Sequence, residues 1–431
     1  MPRTRPLLWF AVLVLLLGGG DVPPPPAHRA LPTTPAGVCA PQPSPELDDA
    51  ASWDEDEDDD DDFGDDLAGD LPDPLGDDAA IGREDFTIDF GDFQARAQLT
   101  YPARGRGPFP TVLLVPGGGP AAAIETVHTS AGDLHVGYYS AIADHLTRAG
   151  YATVRYNKRY VQSPTDHPSN EEYDRRVTAT DLVADADRVY AMTRANPRVD
   201  RTRVILYGAS EGGIVATRLA TMHPEVAGLV LHGTPASTLR EVARYVDFDV
   251  FLPYLHAAVD CDRDGRLTSA EIVAAYYGDS GEVPRGLLAW LLEPEPIRPR
   301  SRIDEAFDRD GDGALDIETE IAPVLTRNLL LFDLRRWGRR ELPTVVPHIR
   351  RYRGPVLILQ GEQDDVVRPS DAAWIDATLT AAGHPDHTLR LYPGYGHSLG
   401  PADSPFFDYR LPMAPEPLAD LVAWLEGRYH R

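Results

Sequence analysis

The stretch 203–219, R-V-I-L-Y-G-A-S-E-G-G-I-V-A-T-R-L, most constrains what this chain can fold into. Val204, Ile205, Leu206 and Tyr207 form a short apolar run rich in β-branched and aromatic residues, the mark of a buried strand. Beyond Gly208-Ala209-Ser210-Glu211-Gly212-Gly213, Val215 and Leu219 stand four apart, as do Ala216 and Ala220, which is helical spacing. A strand that reverses into a helix over so few residues needs a very tight turn. Glycines at 208 and 212 leave room for it and allow Ser210 to be held in a strained conformation. The strain lifts the serine hydroxyl clear of the sheet. The following helix points its free N–H groups at an oxygen that turns negative when the hydroxyl attacks a carbonyl. Ser210 is therefore the candidate nucleophile, and the amide of Glu211 a candidate oxyanion donor.

A serine hydroxyl is a weak nucleophile unless a histidine takes its proton, and that histidine needs a carboxylate to fix its tautomer. In sheets of this kind the chain order is Ser, then Asp, then His. A strand at 355–360 runs into Gly361-Glu362-Gln363-Asp364-Asp365, and a strand at 387–392 into Pro393-Gly394-Tyr395-Gly396-His397. Loops at the carboxyl ends of strands are where such sheets build a site. His397 is the candidate base. Asp364 is the preferred acid, with Asp365 as the alternative. The second oxyanion donor is expected from Gly117-Gly118-Gly119, with Gly118 the choice. A phosphate loop is a poor reading of those glycines, because neither G-x-x-x-x-G-K-[ST] nor G-x-G-x-x-G is present.

The rest of the chain alternates strands and helices. An edge hairpin is expected at 86–90 and 94–101, with strands at 111–115, 151–156 and 227–232 and helices at 138–149 and 170–196. After the middle segment, helices at 371–382 and 415–429 close the pattern. The fold class is α/β, a doubly wound and mostly parallel sheet. Residues 81–235 form the first part of the core, 236–349 a helical cap inserted between two core strands, and 350–431 the second part.

The N-terminal region is different in kind. Arg3 and Arg5 precede an apolar run at 7–17 and then Gly18-Gly19-Gly20, which suits a secretory signal over 1–20 or an uncleaved anchor. Residues 21–80 read as a disordered linker, rich first in proline and then in aspartate. Residues 46–78 hold 18 acidic residues and no Lys or Arg, so most of the net charge of -27 describes this tail rather than the folded body. Nothing basic offers itself to a nucleic-acid backbone. The reading is of an exported protein, periplasmic, extracellular or surface-tethered, with membrane contact only through an uncleaved N-terminus. The only two cysteines, Cys39 and Cys261, lie in unlike segments, which argues against a disulfide framework.

The set Pro116-Gly117-Gly118-Gly119-Pro120, Tyr156-Asn157-Lys158-Arg159, Gly208-Ala209-Ser210-Glu211-Gly212-Gly213, His232-Gly233-Thr234-Pro235 and the loop at 361–367 resembles the α/β-hydrolases of the bacterial esterase and serine-aminopeptidase-like group. Similar members often carry HGSGP in the oxyanion loop, YDKRG after the next strand and HSEGG at the elbow. Here Pro116 stands for the usual histidine and Asn157 for the usual aspartate. The resemblance covers 83–235 and 350–431 and implies carboxylic-ester hydrolysis on a small ester or acyl substrate. Peptidases and thioesterases share the fold, and it does not choose the substrate.

The insertion has its own chemistry. Residues 260–271, D-C-D-R-D-G-R-L-T-S-A-E, match the twelve-residue EF-hand loop at every key position. Asp260, Asp262 and Asp264 supply carboxylates, Gly265 the sharp turn, Arg266 its carbonyl, Thr268 a hydroxyl or bridging water, and Glu271 a bidentate carboxylate. A second loop begins Asp308-Arg309-Asp310-Gly311-Asp312-Gly313-Ala314-Leu315-Asp316. Its expected ligands are Asp308, Asp310, Asp312, the carbonyl of Ala314, and Asp316. Position twelve is Thr319, and the flanking Glu318 and Glu320 are substitutes for the missing carboxylate. Leu267 and Leu315, both at position eight, are expected to pair the two loops. All-oxygen ligands suit calcium rather than zinc. The stretch at 245–325 is thus similar to EF-hand proteins, with helical flanks expected at 240–258 and 269–277. The alternative to a calcium-binding serine hydrolase is a catalytically silent fold that displays a calcium-dependent binding module.

Overall fold

The computed structural model describes residues 80–124, 126–128, 134–163, 166–293, 297–331 and 344–429. The expected signal or anchor, nearly all of the linker, and Cys39 lie outside them. Eight strands build one sheet: β1 (Ile81–Asp89), β2 (Gln94–Pro102), β3 (Phe109–Val115), β4 (Ala152–Tyr156), β5 (Val199–Ala209), β6 (Gly228–His232), β7 (Val356–Gly361) and β8 (His387–Tyr392). Their spatial order is β1-β2-β4-β3-β5-β6-β7-β8. β1 and β2 form the antiparallel edge hairpin, and β2 runs antiparallel to β4. Every neighbouring pair from β4 to β8 is parallel. β4, β6 and β7 are buried at every position, as expected of strands covered by helices on both faces.

The helices that cover one face are α2 (Ala179–Ala195), α3 (Glu211–Met222) and α8 (Pro369–Ala381), which bury Val189, Leu219 and Ile375 against the sheet. On the other face lie α1 (Tyr138–Arg148) and α9 (Pro415–Tyr429), with Ile142, Leu146, Leu421 and Leu425 inward. The single helix expected at 170–196 is two. Asn170–Arg176 ends at Val177, whose backbone is extended (φ -102°, ψ 127°), and α2 restarts behind Thr178. Thr178 and Asp181 form a reciprocal capping box, each side chain taking the other's backbone N–H, and this local bonding outweighs the run of helical periodicity.

Between β6 and β7 the insertion makes its own core. Phe251, Tyr254, Leu255, Ile272, Leu287 and Phe307 pack there, together with Val366 and Val367 from the loop after β7. Residues 239–259 run helically but include two π stretches, Tyr245–Phe251 and Leu255–Val259, which follow α4 (Leu239–Arg244). Next come α5 (Ser269–Tyr277), α6 (Glu282–Trp290) and α7 (Ala322–Leu331). The short strands Arg266–Thr268 and Ala314–Asp316 pair antiparallel, with Leu267 opposite Leu315 as their spacing implied. Cys261 is disulfide-bonded, contrary to the expectation from composition. Cys39, the chain's other cysteine, lies outside the described residues. Among the described residues no helix is long and apolar enough to cross a membrane.

Candidate active site

Ser210 stands between β5 and α3 with φ 53° and ψ -125°, a left-handed conformation that a non-glycine residue rarely adopts. The turn is as tight as the sequence required. A Cβ on Gly208 would lie 2.5 Å from the carbonyl oxygen of Gly212, and one on Gly212 would lie 2.3 Å from that of Val115. The helix therefore starts in contact with the end of β3. The Gly213 amide donates to the Ser210 carbonyl at 2.9 Å, and Ser210 is 3% exposed.

The structure pairs His397 with Asp364, not with Asp365. The Nδ1 of His397 lies 2.7 Å from Oδ2 of Asp364, and both residues are buried. Oδ2 also accepts from Gln360 Nε2 at 2.8 Å, while Oδ1 accepts the amides of Val366 (2.8 Å) and Val367 (2.7 Å). Burial alone would raise the carboxyl of Asp364. The charge and hydrogen bond of His397, then Arg410 and the loop amide of Val367, hold it below the usual carboxylate range instead. An ionised Asp364 accepts a hydrogen bond from Nδ1–H, which leaves the lone pair a base needs on Nε2. The neighbouring Asp365 points the other way, into an ion pair with Arg410. Successive side chains of the loop thus serve opposite sides of it.

His232, at the end of β6, is hydrogen-bonded to the backbone of both Ser210 and His397. The Ser210 amide donates to the His232 carbonyl at 2.8 Å. The His232 ring donates from Nε2 to the His397 carbonyl at 3.0 Å and accepts at Nδ1 from Tyr207 (2.7 Å) and Tyr138. Burial first, and then the neighbouring His397, push this imidazole down to about 3, so it works as a neutral strut. A Cβ on Gly233, whose φ is +52°, would lie 3.1 Å from the His397 ring. The sequence carried His232 and Gly233 only as part of a motif. Their role needs the third dimension, since nothing in spacing shows which histidine lies behind another.

The glycine loop after β3 is fixed from two sides. The amide of Gly117 donates to the Tyr139 hydroxyl (2.9 Å), and Lys158 Nζ donates to the Gly117 carbonyl (2.8 Å) and to Glu211 Oε2 (3.2 Å). The Gly117 amide is thus occupied, and the buried Lys158 braces the loop against the residue after Ser210. Asn157 accepts the amide of Ala123 at 2.9 Å and so pins the far end of the same loop. Lys158 was legible only as a motif letter.

In the insertion, one carboxylate oxygen from each of Asp260, Asp262 and Asp264 lies within 4.8 Å of the others, and so do those of Asp308, Asp310 and Asp312. The first loop closes on Glu271, which accepts the amides of Cys261 (3.1 Å) and Thr268 (2.8 Å), positions two and nine. In the second loop Glu320 accepts the amides of Arg309 (2.7 Å) and Asp316 (2.9 Å), again positions two and nine. Glu320 therefore sits where position twelve should, although it is thirteenth. The π turn Ile317–Ile321 accommodates the extra residue. Glu318 faces His256 at the surface, 3.2 Å away, and Thr319 donates its amide to Asp316. The sequence left Glu318 and Glu320 as equal substitutes because linear spacing assumes a regular helix, and the π turn brings Glu320 to the loop.

Residues 120–259 match the family described as serine aminopeptidase, S33. Esterase EstD of Thermotoga maritima is 28% identical over 173 residues, 40% of this chain and 37% of that protein. The chain thus spans just over a third of the length of the curated relative it matches. Among solved structures, Est1E from Butyrivibrio proteoclasticus is 15% identical, with 80% of this chain and 99% of that one covered at a TM-score of 0.44. The Pyrococcus horikoshii acylaminoacyl peptidase is 13% identical, with 81% and 42% covered at 0.47. The strand order and the strand-to-helix elbow at Ser210 give the chain an α/β-hydrolase fold.

Proposed function

We propose that this protein is a serine hydrolase that cleaves carboxylic esters through an acyl-enzyme. The observation that carries the reading is the buried Asp364–His397 pair beside a serine held at positive φ on a strand-to-helix elbow. Ser210 Oγ attacks the acyl carbon while Nε2 of His397 takes its proton. The amides of Glu211 and Gly118 receive the oxyanion. His397 then protonates the departing alcohol oxygen, leaving the acyl group on Ser210. Water, deprotonated by the same nitrogen, releases the carboxylic acid and restores the serine. Ser210→Ala, assayed on a short aryl ester, should lose turnover and labelling by a fluorophosphonate; retained turnover refutes the reading. The match to the S33 description favours a second reading, an aminopeptidase, and a panel of aryl esters against aminoacyl anilides separates the two. Failure of the wild-type protein to label would favour the silent, binding-module alternative.

We further propose that the two acidic loops bind calcium and that the metal keeps the cap folded. All-oxygen donors, glycine at position six in a left-handed conformation (Gly265 φ 82°, Gly313 φ 83°) and a closing glutamate in each loop support it. The first site would be held by Asp260, Asp262, Asp264, the Arg266 carbonyl, Thr268 and Glu271. The second would be held by Asp308, Asp310, Asp312, the Ala314 carbonyl, Asp316 and Glu320. Export rests on the N-terminal sequence, and the common availability of calcium outside cells favours the structural role of the metal. Secretion of the full-length chain, followed by N-terminal sequencing of the mature protein, tests it.

A further inference from the structure

The segment that follows His397 folds back over it and buries two charged residues there. Asp408 is 1% exposed. Its Oδ2 accepts the His397 backbone amide at 2.6 Å and Arg410 Nη1 at 2.8 Å, and its Oδ1 accepts the Arg410 amide at 3.1 Å. The other arm of the Arg410 guanidinium pairs with Asp365, next to Asp364. One cation thus ties the loop that carries the acid to the loop that carries the base. The approach is close enough that a Cβ on Gly396 would lie 2.2 Å from Asp408 Oδ2. Arg410 itself sits at φ 54°, a conformation kept only where surrounding bonds over-determine it.

The same segment meets the cap. The first amides of α6 donate to it, Gly281 to the Phe406 carbonyl and Glu282 to the Asp408 carbonyl, both at 2.8 Å. Phe406 packs edge-on against Tyr254 of the insertion. A Cβ on Gly281 would lie 2.7 Å from the Asp408 nitrogen and 2.8 Å from the Phe406 oxygen. The φ of Gly281 is -59°, so substitution there acts by steric pressure on this segment and not by backbone strain. Buried ion pairs are poor stabilisers compared with apolar packing, whereas a charge network of this kind fixes geometry. The group whose geometry it fixes is the amide of the candidate base.

We propose that Asp408 and Arg410 are positioning residues that hold His397 against Asp364, and that the first turn of cap helix α6 sets where they stand. The proposal rests on the serine-hydrolase reading. Its test uses the full chain with a short aryl ester and a fluorophosphonate label, on Asp408→Asn, Arg410→Met, Arg410→Lys and Gly281→Ala. In Asp408→Asn an amide NH2 at either oxygen position faces a donor. A misplacement of the base of order 1 Å lowers kcat and labelling rate about 10- to 100-fold in Asp408→Asn and Arg410→Met. KM stays within about twofold, which separates orientation from binding. Arg410→Lys recovers part of the loss, and Gly281→Ala, on the cap, shifts kcat in the same direction with a cooperative melt. Should Arg410→Met fail to fold, Asp408→Asn and Gly281→Ala decide. Folded variants with kcat within about twofold of wild type, or a loss seen in KM alone, overturn the clamp while leaving the triad standing. A wild-type protein that neither turns over nor labels overturns both.

Discussion

Asp364→Asn is the substitution whose outcome the geometry specifies most closely. Two backbone amides, Val366 and Val367, point at Oδ1. The amide oxygen of an asparagine must stay there, which puts its NH2 at the Oδ2 position. That position faces Gln360 Nε2 at 2.8 Å and His397 Nδ1 at 2.7 Å. Gln360 cannot readily turn away, since the same nitrogen also donates to the Gly361 (3.0 Å) and Val367 (3.3 Å) carbonyls. Two donors facing each other in a buried site should destabilise the fold by about 1–3 kcal/mol. His397 can answer only by presenting a lone pair at Nδ1, which moves its proton to Nε2 and removes the base. A wrong tautomer of this kind lowers kcat by about 10⁴-fold in a serine triad, about 5.4 kcal/mol of barrier, with little change in KM. Steady-state kinetics on an aryl ester, with a thermal melt to confirm folding, measures both effects. A folded Asp364→Asn protein that keeps more than about a tenth of kcat would refute the assignment of Asp364.

Three further outcomes follow from the same structure. Removing calcium with a chelator should lower the melting temperature and the activity together, because a ligand that binds only the native state adds RT ln(1 + [L]/Kd) to stability; an unchanged melt in differential scanning calorimetry sinks the structural role. In calcium titrations by calorimetry, Glu320→Gln should weaken one site by about tenfold or more, whereas Glu318→Gln leaves both sites intact. The reverse pattern would show that the π turn does not re-register the loop. His232 stays neutral in the folded protein down to about 3, while an unfolded imidazole protonates near its ordinary value of about 6.5. Its folded value is depressed, so its contribution is whole above about 6.5 and is lost as pH falls toward about 3, with a slope of up to about 1.4 kcal/mol per pH unit. Denaturant unfolding should therefore show the stability gap between wild type and His232→Gln narrowing on acidification, and a constant gap counts against the strut.

What the sequence determined by itself was whatever depends on neighbours along the chain. The elbow was legible because Gly208, Ser210 and Gly212 must stand at fixed offsets for a strand to turn so sharply into a helix, and those offsets are local. His397 stood out because it lies in the loop that follows a strand, and the first acidic loop because its carboxylates fall within twelve residues. Leu267 and Leu315 could be matched because two copies of one local pattern share a register. Where a local bond competed with periodicity, as in the Thr178–Asp181 box, the pattern misled and the helix at 170–196 broke. The sequence preferred Asp364 to Asp365, and only the tertiary structure shows the two adjacent side chains facing opposite sides of the loop, one to His397 and one to Arg410. Only it could move the closing carboxylate of the second loop to Glu320, because a π turn changes the count that spacing relies on. The same holds for His232, Lys158, Asp408 and Arg410. Each acts through a contact that the folding of a loop or of the whole sheet creates, and such a contact leaves no period or offset in a single sequence.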